Sequence, residues 1–301
     1  MRLAVFDGGS GRRLGALRAG GQDLVDLTEA ASNGAQAPAD LLSLIAAGGD
    51  GVDAIRGVVA RAKGAAIKPL DSVELLAPYD KSCGNILCIG RNYQKHAEEG
   101  AGVRGEEVKP PTIFSKAITS IAGPNADLRI AFAVSKDIDW EVELGVMIGK
   151  AGVDVKRSEA LSHVFAYTVV NDISARDIQN GWGGQFFKGK SLDNSGPIGP
   201  FLVTADEIPD PQSLRLRCLV NGVVKQDANT RDMIYPVDAT IEWLSRGMTL
   251  LPGALIATGT PEGVGFARKP PEFLRDGDLL ESEVEGIGRL RNRIVSASGG
   301  A

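Results

Sequence analysis

Two glutamates with a two-residue spacing, Glu141 and Glu143, begin the run EVELGVMI at residues 141–148. The apolar residues between and after them indicate a strand, and because strand side chains alternate between faces, both carboxylates point the same way. A second apolar run at residues 164–170 leads into Asn171 and Asp172, so a third carboxylate can lie at a strand end beside the first two. This stretch is therefore the candidate active site.

Three clustered carboxylates repel one another and resist desolvation, so either their pKa values rise or a divalent cation neutralises them. Oxygen ligands favour a hard ion, with Mg²⁺ first and Mn²⁺ or Ca²⁺ as alternatives. An E-x-E pair alone is more often the wet face of an edge strand. Asp172 changes that balance, and we therefore assign Glu141, Glu143 and Asp172 as a candidate metal site.

Two further pairs of side chains could move protons or bind an anion. His96 and Glu99 lie three residues apart, so on a helix they share a face and can form a hydrogen bond. A carboxylate that orients an imidazole makes it a better base near neutral pH, although a lone histidine on a surface helix is more often inert. Arg176 and Gln179 lie one turn apart on a second candidate helix.

Two alternatives from other classes of protein fit parts of the chain. Residues 184–191, GQFFKGKS, match the phosphate-loop pattern G-x-x-x-x-G-K-[ST]. Such a loop needs a buried strand before it and a helix after it, whereas polar and glycine-rich residues stand on both sides here. In the second alternative the acids bind a structural cation in a non-catalytic module, and His96 is dispensable.

Seven motifs occur in order along the chain. They are GRNYQKHAEE (residues 90–99), DWEVELGVMIG, VVNDISARDIQ, KGKSLD, GPIGPFLVT, LVNGVVKQDANTRDM and TGTPEGVG. With these motifs, residues 72–295 resemble the fumarylacetoacetate hydrolase superfamily. The resemblance implies a mixed β-sandwich roll as the catalytic fold, a bound divalent metal and a homodimer.

The resemblance also implies roles for individual side chains. His96 and Glu99 would form the dyad that activates water, and Lys190 would polarise a substrate carbonyl or stabilise an enolate. From the residues alone, Lys116 ends a predicted strand and could reach an anionic substrate, but a lysine at a strand end is more often solvated, so we leave it out of the catalytic set.

Three other residues are predicted to bind substrate. Arg176 and Gln179 would be supporting donors, and Thr260 would contact the substrate carboxylate through its hydroxyl and backbone N–H. The predicted reaction is metal-dependent hydrolysis of a carbon–carbon bond in a small 2,4-dioxo acid, of the acylpyruvate or diketo-deoxy-sugar-acid type. The products would be a carboxylic acid and a pyruvate-like acid. The alternatives are decarboxylation of oxaloacetate-type acids and isomerisation of 2-hydroxy-dienoates, because each passes through an enolate at the same site.

The elements that must position these groups are short. The 38 glycines and 15 prolines favour many short strands over long helices. We predict a fold that is mostly β with α/β elements, divided into a small N-terminal α+β domain (residues 1–72) and a catalytic domain like that of the family (residues 73–301). The polar, glycine-rich residues 98–108 are interpreted as a mobile lid segment.

The amino-acid composition limits the classes of molecule that this protein is expected to bind. The chain has 301 residues, with 33 basic and 38 acidic side chains and a formal net charge of -5 at pH 7. No basic run interleaved with aromatic residues indicates nucleic acid or an anionic membrane as a partner. Three cysteines, an odd number in a large chain, argue against a disulfide framework and for a reducing compartment. With no signal peptide evident, we expect a cytoplasmic enzyme that acts on a small molecule.

Overall fold

The computed structural model of the protein describes residues 1–32, 38, 40–79, 83–101 and 110–297. Of the predicted lid, residues 98–101 end a helix, and residues 102–108 lie outside the described residues. The elements confirm the predicted fold class, mostly β with α/β elements.

The strands and helices of the described residues are numbered here in chain order. The strands are β1 (Arg2–Asp7), β2 (Arg12–Leu17), β3 (Asp23–Asp26), β4 (Ile67–Pro69), β5 (Leu75–Leu76), β6 (Ile86–Gly90), β7 (Thr112–Lys116), β8 (Ile121–Ala122), β9 (Leu128–Ile130), β10 (Ile138–Asp139), β11 (Val142–Ile148), β12 (Val164–Asn171), β13 (Ser174–Ala175), β14 (Gly196–Thr204), β15 (Arg215–Val220), β16 (Val223–Asn229), β17 (Leu255–Ala257), β18 (Leu279–Val284) and β19 (Gly288–Ser296). The helices are α1 (Leu27–Ser32), α2 (Leu41–Arg61), α3 (Gln94–Ala101), α4 (Arg176–Gly181), α5 (Phe187–Lys190) and α6 (Val237–Ser245).

The largest sheet has the order β4-β3-β2-β1-β14-β12-β11-β17-β6-β7. Neighbours along this order pair antiparallel except β17 and β6, which pair in parallel. Because β1 pairs with β14, the N-terminal strands continue the sheet that contains β11 and β12. The division into two domains at residue 72 stays a prediction.

A second sheet has the order β16-β15-β18-β19-β9. Its strands β15, β18 and β19 contact β11, β12 and β14 of the large sheet, which makes a two-layer sandwich. The other face of the large sheet packs against α2, a helix that is kinked at Gly48, where φ is 56°. No helix in the described part of the chain is long and apolar enough to cross a membrane.

Strand β11 shows how the sequence pattern positions acids on one face. Val142, Leu144 and Val146 belong to the apolar cluster between the two sheets, whereas Met147 belongs to the cluster on the α2 side. The predicted two-residue alternation is therefore confirmed. Glu143 occupies the phase that points away from the sandwich core, and Glu141 lies directly before the strand.

Candidate active site

Four segments converge at one edge of the large sheet. β17 is parallel to β6, so the loops that follow these two strands leave from the same edge. β11 is antiparallel to both β17 and β12, so the start of β11 and the end of β12 also lie there. The topology thus brings together residues 90–93, 139–143, 171–172 and 258–266.

The three predicted metal ligands lie next to one another at this edge. One carboxylate oxygen from each of Glu141, Glu143 and Asp172 lies within 4.8 Å of the others. The backbone N–H of Asp172 donates to the Glu141 carbonyl over 2.8 Å, and the Asn171 side chain accepts from the Glu141 N–H over 3.0 Å. All three carboxylates are buried, with residue exposures of 4%, 1% and 0%.

Two lysines meet these carboxylates. Lys190, at the end of α5, donates through Nζ to Glu141 Oε2 over 2.6 Å and to Asp172 Oδ2 over 2.8 Å. Lys116, at the end of β7, lies 2.8 Å from Asp172 Oδ1 and donates to the carbonyls of Ile173 and Lys190. Lys116 is fully buried, so its interpretation as a solvated side chain is wrong.

The pKa values follow from these contacts. Burial opposes the charge of Lys190, but Asp172 and Glu141 raise the pKa of its ammonium above the usual value. Burial likewise opposes ionisation of Glu141, but Lys190 and Arg176 lower the pKa of its carboxyl to about 2. Both groups are therefore charged at neutral pH.

Glu143 stands apart from these ion pairs. Its Oε2 accepts the backbone N–H of Gly259 over 2.7 Å, and among the described residues no lysine or arginine pairs with it. Burial, followed by the charges of Asp172 and Glu141, raises the pKa of Glu143 well above its usual value. Such a carboxylate is stable when ionised only if a further positive charge arrives.

The residues present fit a divalent cation. Oxygen atoms of three carboxylates converge, as a hard cation requires. Asp172 Oδ1 has no hydrogen-bond donor among the described residues, although the Lys116 ammonium is near. Glu143, which no cation of the described residues pairs, is therefore the carboxylate with charge left for a metal ion.

Arg176 begins α4 and is held on three sides. Its guanidinium donates to Asp139 over 2.8 Å, to Glu141 over 2.6 Å and to Gln179 Oε1 over 3.0 Å, and it lies 4.4 Å from the centroid of the Phe266 ring. Burial opposes its charge, but Glu141 and Asp139 raise the pKa of Arg176. Arg176 and Gln179 therefore build the wall of the site, and their contact with substrate stays a prediction.

Helix α3 places His96 and Glu99 on one face, as the spacing predicts. His96 Nδ1 lies 3.6 Å from Glu99 Oε2, too long for a hydrogen bond, and it has no other partner among the described residues. The Glu99 carboxylate accepts the backbone N–H of Gly263 over 2.9 and 3.1 Å. Glu99 thus links α3 to the loop that follows β17.

That loop also contains Thr260. Its hydroxyl donates to the Val142 carbonyl over 3.0 Å and accepts from Gln226 Nε2 over 2.8 Å. Because the single hydroxyl proton is already used, the geometry does not support the predicted donation from this hydroxyl to a substrate carboxylate. A Cβ at Gly259, where φ is 96°, would lie 2.7 Å from the Asn92 Cβ, so this close approach of two loops requires glycine.

A cavity of about 220 Å³ opens onto this cluster. Its size suits a small metabolite better than a drug-sized ligand. Phe114, Phe186 and Phe266 supply apolar lining. Six predicted site residues also line it, namely His96, Glu141, Arg176, Gln179, Lys190 and Thr260.

Sequence reasoning missed three charged residues of the site. Asp139 precedes Glu141 by two residues, so the spacing that identified Glu141 and Glu143 could have found it. Asp139 is fully buried and accepts the backbone N–H groups of Gly265 and Phe266 over 2.6 and 3.1 Å. Lys116 and Arg91 carry no comparable signal in a single sequence.

The structure contradicts the phosphate-loop alternative. Residues 184–191 begin three residues after the end of α4 and continue into α5, and residues 182–186 between the two helices form no strand. Lys190, the lysine of the pattern, is buried between two carboxylates, which would repel a phosphate.

A family profile, described as fumarylacetoacetate (FAA) hydrolase C-terminal, matches residues 85–295. These residues include every side chain of the site described above. The chain belongs to the fumarylacetoacetate hydrolase family. The resemblance predicted from the motifs is therefore confirmed. Enzymes of this family depend on a divalent metal, in agreement with the buried acidic triad.

Individual relatives carry different reaction names. Oxaloacetate tautomerase YisK of Bacillus subtilis (strain 168) is 41% identical over 263 residues, which cover 85% of this chain and 87% of the relative. The structure of fumarylacetoacetate hydrolase (EaFAH) from psychrophilic Exiguobacterium antarcticum is 36% identical, with a TM-score of 0.80 and coverage of 98% and 99%. The structure of 2-hydroxyhepta-2,4-diene-1,7-dioate isomerase from Mycobacterium marinum is 33% identical, with a TM-score of 0.75 and coverage of 99% and 100%. The family thus includes tautomerases and isomerases as well as hydrolases.

Proposed function

We propose that this protein interconverts the keto and enol forms of a small 2-oxo dicarboxylic acid of the oxaloacetate type, with a divalent cation bound by Glu141, Glu143 and Asp172. The Bacillus subtilis relative is named an oxaloacetate tautomerase, and the Mycobacterium marinum protein is named an isomerase. Both names describe the movement of a proton without the addition of water. The similarity therefore favours the enolate chemistry predicted as the alternative over the predicted hydrolysis.

The observation that carries the proposal is the composition of the cavity. It contains a buried histidine, His96, whose Nδ1 has no hydrogen-bond partner among the described residues, together with the fixed positive charges of Lys190 and Arg176. Enolisation removes a proton from the carbon beside a carbonyl while negative charge develops on the carbonyl oxygen. A base and preorganised positive charge around one small volume meet both requirements.

A divalent cation at the three carboxylates would supply Lewis-acid stabilisation of that developing charge. Lys190 uses two N–H groups for Glu141 and Asp172, so its third can donate to a substrate oxygen. Arg176 and Gln179 keep the adjoining wall rigid through their bonds to Glu141 and to each other. Preorganised donors of this kind need no reorganisation during the reaction.

Proton transfer falls to His96. With the Nδ1 proton directed towards Glu99, Nε2 carries the lone pair that accepts the proton from C3 of the substrate. Return of a proton to the 2-oxo oxygen completes the tautomerisation, so no water or other co-reactant is consumed. The Gly263 N–H fixes the Glu99 carboxylate, and a hydrogen bond from His96 Nδ1 to that carboxylate would require their 3.6 Å separation to shorten during the reaction.

Hydrolysis of a 2,4-dioxo acid is the second candidate. The same pair, His96 and Glu99, could deprotonate a water for attack on the distal carbonyl, and the Exiguobacterium antarcticum protein is named a hydrolase. The two functions differ in their products. Hydrolysis releases a carboxylic acid and a pyruvate-like acid, whereas tautomerisation leaves the carbon skeleton intact.

The decisive experiment follows the loss of ultraviolet absorbance of enol-oxaloacetate. We expect acceleration by the Mg²⁺-loaded enzyme, loss of that acceleration with EDTA, and a decrease of about 100-fold or more in His96→Asn. Release of pyruvate from acylpyruvates without CO₂ would instead favour hydrolysis, and CO₂ from oxaloacetate would favour decarboxylation. Absence of turnover with every substrate, with metal binding retained, would support a structural cation site.

We retain the homodimer as a proposal that follows from the family. Light scattering of the purified protein measures its mass directly. A mass equal to that of one chain, 31.6 kDa, would contradict it.

A further inference from the structure

Arg91 has an unusual backbone for its position. It follows β6, lines the same cavity as His96 and Lys190, and has a φ of 56°. Residues other than glycine and asparagine seldom adopt this left-handed conformation, because their Cβ crowds the following carbonyl. Strain of this kind persists where the surroundings enforce it, and it is concentrated at functional sites.

The neighbouring Asn92 enforces this conformation. Its buried side chain accepts the backbone N–H of Tyr235 over 2.7 Å and donates to the carbonyls of Tyr235 and Thr258 over 3.0 and 2.7 Å. The Asn92 carbonyl accepts the backbone N–H of Ile234 over 2.7 Å. Two other segments, residues 234–235 and Thr258, therefore fix the turn that carries Arg91 at the cavity.

The charge of Arg91 also differs from that of the other cations at the cavity. Arg176 is paired with Asp139 and Glu141, and Lys190 is paired with Glu141 and Asp172. Arg91 is exposed and makes no ion pair with any carboxylate of the described residues. Arg91 thus lines the cavity with a guanidinium that no carboxylate of the described residues neutralises.

We propose that Arg91 binds the second carboxylate of the substrate and so selects dicarboxylic over monocarboxylic 2-oxo acids. This inference rests on the proposed function, in which the metal, Lys190 and the wall built by Arg176 serve the 2-oxo acid end. A planar guanidinium can bind a carboxylate through two parallel hydrogen bonds, which gives both affinity and orientation. A cavity of about 220 Å³ keeps the two ends of a short diacid within reach of both groups.

The test compares two substrates that differ only in the second charge. Enol-oxaloacetate and its 4-ethyl ester are both enolisable, but the ester lacks the carboxylate assigned to Arg91. The variant Arg91→Gln removes the charge. Because glutamine also has a Cβ, the backbone strain at this position stays the same as in the wild type. Arg91→Lys keeps the charge without the planar fork, and Arg129→Gln removes an exposed charge on β9, outside the cavity lining.

We expect Arg91→Gln to lower kcat/KM for oxaloacetate by about 10- to 100-fold, mainly through KM, because a charge-assisted hydrogen-bonded pair is lost. For the ester, Arg91→Gln should change kcat/KM by about twofold at most. Arg129→Gln should change kcat/KM for either substrate by no more than that. For oxaloacetate, kcat/KM of Arg91→Lys should lie between the values of the wild type and of Arg91→Gln. Equal losses for diacid and ester, or no loss for either, would overturn the role of Arg91.

A binding measurement separates this inference from the proposed function. Calorimetry with malate and lactate, in the presence of Mg²⁺, compares a diacid with a monoacid without any turnover. Weaker binding of malate alone in Arg91→Gln would support the inference even if the wild type tautomerised nothing, which would refute only the proposed function. Unchanged malate affinity, or no binding of malate to the wild type, would refute the inference.

Discussion

Ion pairs occur in two regions of this molecule with opposite surroundings. In the first, which we call the buried cluster, every residue is at most 5% exposed; its members are Asp139, Glu141, Glu143, Asp172, Lys116, Lys190 and Arg176. The second, which we call the charge ladder, lies on the five-stranded sheet; its pairs are Arg215–Asp227, Arg217–Glu283 and Arg289–Glu283. The same chemical groups therefore meet in the interior and at the surface.

The charge ladder follows from strand alternation. Arg217 and Glu283 face each other across β15 and β18, whereas Leu216 and Cys218 turn into the sandwich core. A cross-strand pair of opposite charge at the surface contributes only about 0.2–1 kcal/mol, because water screens it. The charge ladder is thus an ordinary solvent-exposed face of a sheet.

The buried cluster has a different energetic character. Removing charges from water costs more than their attraction returns unless each one is paired and hydrogen-bonded. The protein nevertheless keeps Glu143 there without a cationic partner among the described residues. A fold that needed only stability would place apolar side chains here, so the comparison indicates that this cluster serves chemistry.

The largest expected effect follows from removing a cation of the cluster. Lys116→Met leaves Asp172 and the carbonyls of Ile173 and Lys190 without their buried ammonium, and we expect the free energy of unfolding to fall by about 3–5 kcal/mol. Arg217→Met in the ladder should cost at most about 1 kcal/mol. Urea unfolding of the metal-free proteins measures both, and equal losses would remove the distinction between the regions.

The next effect concerns activity. Lys190→Met should lower kcat of the proposed tautomerisation by about 100-fold, because a preorganised donor to the developing negative charge is lost. Lys188 lies two residues earlier on α5 and is exposed, so Lys188→Met is a matched control that should retain the wild-type kcat. Rates are compared per folded enzyme after circular dichroism. A similar loss in both variants would contradict the assigned role of Lys190.

Glu143→Gln tests the unpaired carboxylate. In wild type, Mg²⁺ at about 100 times its Kd should stabilise the fold by about 2.7 kcal/mol, and the variant should lose this gain. Without metal, the variant should be no less stable than wild type, because a buried charge without a partner is removed and the Gly259 N–H can still donate to the amide oxygen. Thermal unfolding with and without Mg²⁺ checks both, and a destabilised metal-free variant would show that Glu143 is structural.

The smallest effect belongs to the ladder and depends on pH. Burial opposes ionisation of Glu283, but Arg217 and Arg289 lower the pKa of its carboxyl. A group with a lowered folded pKa stabilises the protein above its unfolded pKa, and this contribution is lost as the pH falls through the folded value. Glu283→Gln should therefore cost at most about 1 kcal/mol near neutral pH, and the difference should shrink as the pH falls below about 4. A difference that grew on acidification would contradict the sign of this shift.

Much of the site could be predicted because the spacing of its residues in the sequence places their side chains together within a single strand or helix. The alternation of Glu141 and Glu143 with apolar residues requires only that the segment be a strand, and β11 begins one residue later than predicted. The helical spacing of His96 and Glu99 likewise requires only α3. Motif order along the chain was sufficient to identify the family.

The choice of reaction was not available from these patterns. Hydrolysis, decarboxylation and tautomerisation each use an enolate at the same residues, so their motifs look alike. The named relatives shift the preference towards tautomerisation, and the products of turnover will decide it.

The amino-acid sequence by itself determined the fold class, the family and the carboxylates whose neighbours lie nearby in the chain. Only the tertiary structure decided that Lys116 joins the predicted Lys190 and Arg176 as a cation that pairs with them. Lys116 and Lys190 lie 74 residues apart, and a lysine at a strand end looks the same in sequence whether it is solvated or buried. Parallel pairing of β17 with β6 brings Arg91 and the 258–266 loop to one edge. Charges from distant segments interact strongly only where the fold excludes water between them, and that exclusion is a property of the packed structure.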